Sequence, residues 1–156
     1  MTDEDFMRLA IAEADAATAK GNWPIGCVIV LDGQVIAQAH NLVYSSENRL
    51  AHAEVLALQA VQPLIFSRPG EAVLYTTYEP CVMCLGACLN ARLEKVVYGV
   101  DLNDSGATGL LDHLPALYGS GDYDTTFVGG MLADECEAAY RRGEAAVLKA
   151  RQSLAG

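Results

Sequence analysis

Strand-like and helix-like hydrophobic patterns alternate along the whole chain. That alternation predicts an α/β fold, with a mixed sheet of about five strands flanked by helices in three α/β/α layers. Two further observations carry the prediction. Asp32-Gly33 lies between the apolar runs IGCVIVL and QVIAQAH, a strong short signal for an antiparallel hairpin. The buried run KVVYGV follows a helical stretch, which calls for a crossover connection and a parallel neighbour.

Taken in order, residues 3–19 place Phe6, Leu9, Ala10 and Ala14 at helical spacing, and GNWP ends that helix. The two strands of the hairpin follow. A polar loop, NLVYSSENR, leads into LAHAEVLALQAV, read as a helix that starts near His52. EAVLYTT is a strand. Pro80 sits where a helix can begin without losing a hydrogen bond, and CVMCLGACLNAR continues that helix. After KVVYGV, GLLDHLPALYG reads as a short helix and DTTFVGG as a further strand. A long C-terminal helix runs from Met131 to the end despite Gly143. With no repeat, low-complexity tract or linker, the expectation is one domain over residues 1–156.

Composition narrows the function classes. The 52% hydrophobic and 19% charged content fits a globular protein. No apolar run approaches the ~18 residues of a membrane span. The opening MTDEDF is acidic where a secretory signal would be basic, so a cytoplasmic location is expected. Five cysteines form an odd set without the density of a disulfide scaffold. The net charge is −10, and residues 101–124 hold five aspartates with no Lys or Arg. Such a surface repels phosphate backbones and opposes nonspecific nucleic-acid binding.

The chemistry concentrates in 75-YTTYEPCVMCLGA-87. Cys81 and Cys84, at i and i+3, share one face of a first helical turn, where free N–H groups and the helix dipole favour thiolates. Two thiolates make half of a tetrahedral zinc site, although a redox pair after a strand has the same spacing. His52, at the start of the preceding helix, offers a third ligand and leaves the fourth position open, as catalytic zinc requires. Glu54, two residues on, can carry a proton between water and a leaving group. The order H-x-E then P-C-x-x-C matches the pattern of zinc nucleobase deaminases.

On these motifs the chain resembles the cytidine deaminase superfamily, in the branch of tRNA adenosine deaminases, guanine deaminases and fungal-type cytosine deaminases. WPIGCVIV, DG and QVIAQAHN look like the family's opening hairpin. AHAEVLAL and LYTTYEPCVMCLGA are similar to its active-site helices, and GATGLLDHLP with GGMLADEC to the C-terminal part of the tRNA-editing branch. The resemblance implies the cytidine-deaminase-like fold, with one Zn2+ per chain held by His52, Cys81 and Cys84, and Glu54 as the proton shuttle. It also implies that Asn41 hydrogen-bonds the substrate base, that the backbone around Ala53 and the Glu79-Pro80 turn shape the substrate pocket, and that the protein is a homodimer. Two stretches depart from the tRNA-editing pattern. Where that branch carries a loop of the type A-R-D-x-K-T-G, this chain has 100-VDLNDSG-106, and SENRL replaces D-P-T before His52.

The expected function is therefore zinc-dependent hydrolytic deamination of a small amino-substituted nucleobase or nucleoside, purine or pyrimidine, with no membrane partner. Wobble-adenosine deamination in tRNA is the enzymatic alternative. A non-catalytic zinc-binding or CxxC redox protein is the alternative of another class.

Overall fold

The computed structural model describes residues 1–154, apart from the side chains of residues 104, 153 and 154. Helix α1 spans Asp3–Ala19. Thr2 caps it reciprocally: its hydroxyl accepts from the Asp5 N–H at 3.2 Å, and the Asp5 carboxylate accepts from the Thr2 N–H at 2.8 Å. The buried stripe is Phe6, Met7, Ala10, Ala14 and Ala17. Met7 takes the covered place that spacing alone assigned to Leu9, which is only half-buried.

Strands β1 (Gly26–Leu31) and β2 (Gln34–His40) form the hairpin, antiparallel as expected. Asp32 and Gly33 have φ of 53° and 73°. Two positive values in a row define the two-residue turn whose twist matches the strands it joins. Strands β3 (Val73–Tyr78), β4 (Lys95–Val100) and β5 (Thr126–Val128) complete one five-stranded sheet in the order β2-β1-β3-β4-β5. β3 runs antiparallel to β1 and parallel to β4, which runs parallel to β5.

The pleat of β1 divides the core. Cys27, Ile29 and Leu31 face helices α2 (Ala53–Phe66) and α3 (Val82–Asn90), whereas Val28 and Val30 face α1 and the C-terminal helix α4 (Ala133–Leu154). The result is the expected three-layer sandwich, with apolar surface removed from water on both faces of the sheet.

Four local expectations change. α2 continues through Pro63 to Phe66, beyond the apolar pattern that ends near Val61. The carbonyl that Pro63 leaves without a donor belongs to Gln59, an exposed residue open to water. α3 begins one residue after Cys81, so Cys81 is its N-cap and Pro80 lies just outside. GLLDHLPALYG is two 3-10 turns, Thr108–His113 and Ala116–Gly119, because Leu114 is held extended ahead of Pro115. α4 starts two residues after Met131 and is continuous through Gly143, while residues 155 and 156 lie outside the described residues. A Cβ at position 143 would strike Thr18 and Pro24, so this glycine lets α4 lie directly on the end of α1 and the GNWP turn.

Candidate functional site

Two helix N-termini meet at the end of β3. His52 is the N-cap of α2 and Cys81 the N-cap of α3, and neither side chain caps its own helix. Both are therefore free to face each other. The His52 Nδ1 lies 3.6 Å from the Cys81 sulfur and 3.6 Å from the Cys84 sulfur. All three ligand atoms fall within 4.8 Å of one another. Zn–S bonds near 2.3 Å and Zn–N bonds near 2.05 Å at a tetrahedral angle require N···S separations of about 3.6 Å. The donor set therefore fits zinc in both chemistry and spacing, and three protein ligands leave one position for a reactant.

The electrostatics suit a cation. The Cys81 thiol is pulled down to about 4, first by the hydrogen bond from Cys84 and next by His52, against the opposing effect of burial. Cys84 is pushed up by sharing its proton with Cys81 and by burial. The histidine is raised by its contact with Cys81. Zinc binds thiolates and neutral imidazole, so loading the site with metal releases the protons that its ligand groups carry.

Glu54 is 3% exposed beside this set. Its Oε1 accepts from the Thr76 hydroxyl at 3.1 Å, and its Oε2 accepts from the Cys84 thiol at 3.4 Å. Burial raises its pKa, so the carboxyl holds a proton more readily than an exposed glutamate would. The H-x-E spacing, awkward inside a helix, works because His52 precedes the helix while Glu54 sits in its first turn.

These residues open onto a cavity of about 410 Å³, whose wall includes Trp23, Asn41, Arg49, Tyr78, Glu79 and Tyr140. That volume lies in the ~300–1,000 Å³ range of small-molecule sites. Asn41 is buried, and its Oδ1 accepts from the Val43 N–H at 3.1 Å. This contact fixes the amide orientation and leaves Nδ2 for a ligand. Asn41→Asp keeps the acceptor for Val43 and loses the donor. It is expected to lower kcat/KM by roughly 1–3 kcal/mol with zinc content unchanged, whereas an unchanged kcat/KM would make Asn41 a turn residue only.

Glu79 lies on the wall through the turn it forms with Pro80. Its carboxylate instead holds the following loop, accepting from the Leu102 N–H at 2.8 Å, the Thr108 N–H at 2.9 Å and the Thr108 hydroxyl. A Cβ at Gly106 would collide with that carboxylate, so the glycine is required for the loop to close over it. Ala53 is fully buried in the core between α2 and the sheet, and its side chain does not reach the cavity wall.

Sequence reasoning missed the aromatic side of the cavity. Trp23 and Tyr140 stack with ring centroids 6.5 Å apart, and Tyr140 meets Tyr78 at 4.5 Å. Tyr78 is tied to α4 by its hydroxyl, which donates to Glu137 at 2.9 Å. Trp23 is the chain's sole tryptophan, a signal that could have been used. Tyr140 gives no sequence signal, because only the packing of α4 on α1 brings it there.

Three comparisons complete the picture. The family model for the cytidine and deoxycytidylate deaminase zinc-binding region matches residues 1–100. The tRNA-specific adenosine deaminase of Bacillus subtilis is 42% identical over 135 residues, covering 86% of this chain and 83% of that protein. Among solved structures, a tRNA:A34 deaminase superposes with a TM-score of 0.72 at 32% identity, covering 86% of this chain and 98% of the other. The guanine deaminase of Nitrosomonas europaea superposes with a TM-score of 0.76 at 25% identity, over 92% and 85% of the two chains.

Proposed function

The chain belongs to the cytidine and deoxycytidylate deaminase zinc-binding family, and from that premise we propose that residues 1–156 form a single domain that hydrolytically deaminates a small amino-substituted nucleobase or nucleoside. The observation that carries this is the placement of His52 Nδ1 at 3.6 Å from both cysteine sulfurs, with the buried Glu54 carboxylate against the same set.

His52, Cys81 and Cys84 would hold one zinc ion, whose Lewis acidity would supply a water that is nucleophilic near neutral pH. Glu54 takes a proton from the attacking water as the C–O bond forms at the amino-bearing ring carbon. It then delivers a proton to the departing nitrogen, so the C–N bond breaks to give the oxo base and ammonia. Thr76 holds the carboxylate in position for both transfers. The Asn41 amide addresses the base edge, and the aromatic wall excludes water from one side of the ring. A CxxC redox role uses neither His52 nor Glu54, yet both converge on the cysteines.

The acidic 101–124 segment borders the cavity through Leu102 and supports a small substrate over a polyanion. The identity to tRNA-specific adenosine deaminases favours the second reading, inosine formation at a wobble adenosine. Ammonia release over guanine, adenine, cytosine and their nucleosides, beside an inosine assay on tRNA bearing adenosine-34, decides between them. Turnover of the small molecules with weak tRNA editing is the expected result. Efficient editing with no small molecule accepted would replace the first reading by the second, and zinc-free protein inactive in both assays would remove both.

Five free cysteines suit a reducing compartment, which supports work in the cytoplasm. No helix among the described residues is long and apolar enough to cross a membrane. A homodimer is supported by exposed Leu64 and Phe66 on α2 and Val82 on α3. Light scattering that gives a monomer mass at micromolar concentration would remove that assignment.

A further inference from the structure

A second set of titratable side chains converges outside the cavity, where the end of α1 meets the end of β2. Lys20 is the C-cap of α1, His40 is the last residue of β2, and Glu13 faces them from within α1. The His40 Nδ1 lies 2.6 Å from a Glu13 carboxylate oxygen, and its Nε2 lies 3.1 Å from the Lys20 nitrogen. None of the three lines the deaminase cavity. Helix-end lysines are stabilised by the helix dipole alone, so the imidazole is not needed to keep Lys20 in place. Lys149, exposed towards the end of α4, shows this, having no side-chain partner among the described residues.

The two partners dictate the tautomer of His40. A carboxylate can only accept and an ammonium can only donate. The Nδ1 therefore carries the imidazole proton and donates it to Glu13, which leaves the Nε2 lone pair aimed at Lys20. This is the order of a nucleophile, base and carboxylate triad, with an amine in the nucleophile's place. The carboxylate–imidazole half is sheltered, with side-chain exposures of 21% for Glu13 and 14% for His40. Lys20 itself is exposed, so a reagent can reach its nitrogen. Its backbone is pinned on both sides: the N–H donates to the Ala17 carbonyl at 3.1 Å, and the carbonyl accepts from the buried Asn22 amide at 3.4 Å.

We propose that Lys20 is an acylation site that takes an acyl group from a thioester, with His40 as its base and Glu13 as the residue that positions His40. The Lys20 ammonium passes one proton to Nε2, and Glu13 stabilises the imidazolium that results. The freed nitrogen lone pair attacks the thioester carbonyl and forms the C–N bond. The C–S bond breaks with its electron pair on sulfur, and the thiolate takes the proton from His40. A second N–H proton is lost to water, which leaves a neutral amide on Lys20 and a free thiol. Nothing is oxidised or reduced.

The chain carries three lysines, Lys20, Lys95 and Lys149, which supplies an internal standard. The folded protein is incubated with the acetyl thioester of N-acetylcysteamine, a small uncharged probe that the acidic surface does not repel. Peptide mass spectrometry then gives the initial acetylation rate at each lysine. General bases in closed active sites contribute ~10²–10⁴-fold and an exposed amine realises part of that, so Lys20 is expected to react roughly tenfold faster than Lys149. His40→Gln leaves an amide oxygen that can accept from Lys20 but cannot take its proton, and it should bring Lys20 down to the Lys149 rate. Glu13→Gln keeps an acceptor for the imidazole and removes the charge, and it should lower the Lys20 rate severalfold. Zinc content and melting temperature verify folding, and the Lys149 rate in each sample corrects for any loosening of the structure. Equal rates at Lys20 and Lys149 in wild type overturn the proposal, as does a Lys20 lead that survives in His40→Gln. Should His40→Gln fail to fold, wild type and Glu13→Gln decide: a lead absent from the first, or undiminished in the second, overturns it. The deaminase reading is tested separately, since no atom of that site takes part.

Discussion

Glu54→Ala protein is expected to bind zinc normally and to lose turnover by about 10²–10⁴-fold, the range associated with general acid–base catalysis. The size follows from the location of the side chain. Glu54 is not one of the three converging metal-binding atoms, yet it touches one of their bearers, Cys84, at 3.4 Å. Removing it leaves the metal set complete and takes away the group that moves the proton. Burial raises its pKa, which suits a group that must accept a proton and then release it within one cycle. Truncation also leaves the Thr76 hydroxyl without its acceptor, so Glu54→Gln is the better control for shape. The amide still accepts from Thr76 but cannot shuttle a proton. Both variants should therefore be inactive, with zinc content equal to wild type. Deamination by Glu54→Ala within a few-fold of wild type would show that the proton moves by another route.

How much of this was legible depended on whether the signal was local. Asp32-Gly33 fixed the hairpin because two successive residues with positive φ are a property of that dipeptide. The metal-binding set was legible because each half of it lies within a few residues of a helix start. What the spacing could not show was that Cys81 and His52 are both N-caps, which is what frees their side chains to meet across 29 residues. The segment after β4 was misread as one helix, since its apolar periodicity outweighed Leu114-Pro115 in the reading while the backbone obeyed the proline. The aromatic wall was out of reach of any local pattern. Tyr140 belongs to a helix whose hydrophobic stripe looks ordinary, and it becomes a wall residue only because Gly143 lets α4 settle against Pro24. The same holds for Glu79, which reads as part of the pocket turn and proves to be the anchor of the 102–108 loop.

Cys84→Ala is expected to release the zinc and to lower the melting temperature well beyond the cost of the lost sulfur. Cys84 is fully buried at the third position of α3, and Cys88, one turn further along the same helix, is equally buried. The two differ in what they reach. Cys84 faces His52 Nδ1 at 3.6 Å, whereas Cys88 lies in the apolar core between α2, α3 and the sheet. Cys88→Ala therefore measures the packing cost of removing a buried sulfur, and Cys84→Ala measures that cost plus the metal. With zinc in place, the ion ties the N-terminus of α2 to that of α3, and its binding energy adds to folding stability. For a domain of this size each lost kcal/mol lowers the melting temperature by about 2–4 °C, so losing the cross-link should be plain in a thermal scan. Three results are expected together: Cys88→Ala keeps one zinc per chain, Cys84→Ala keeps none, and chelator-treated wild type melts near Cys84→Ala rather than near Cys88→Ala. Retention of full zinc by Cys84→Ala would remove this residue from the ligand set. Wild-type protein purified without zinc, its Cys81 and Cys84 joined as a disulfide, would instead establish a redox pair. The convergence of His52 and Glu54 on the two sulfurs argues against that outcome, because a dithiol couple needs no buried carboxylate at its side, whereas hydrolysis at a carbon–nitrogen bond does need a group there to carry the proton.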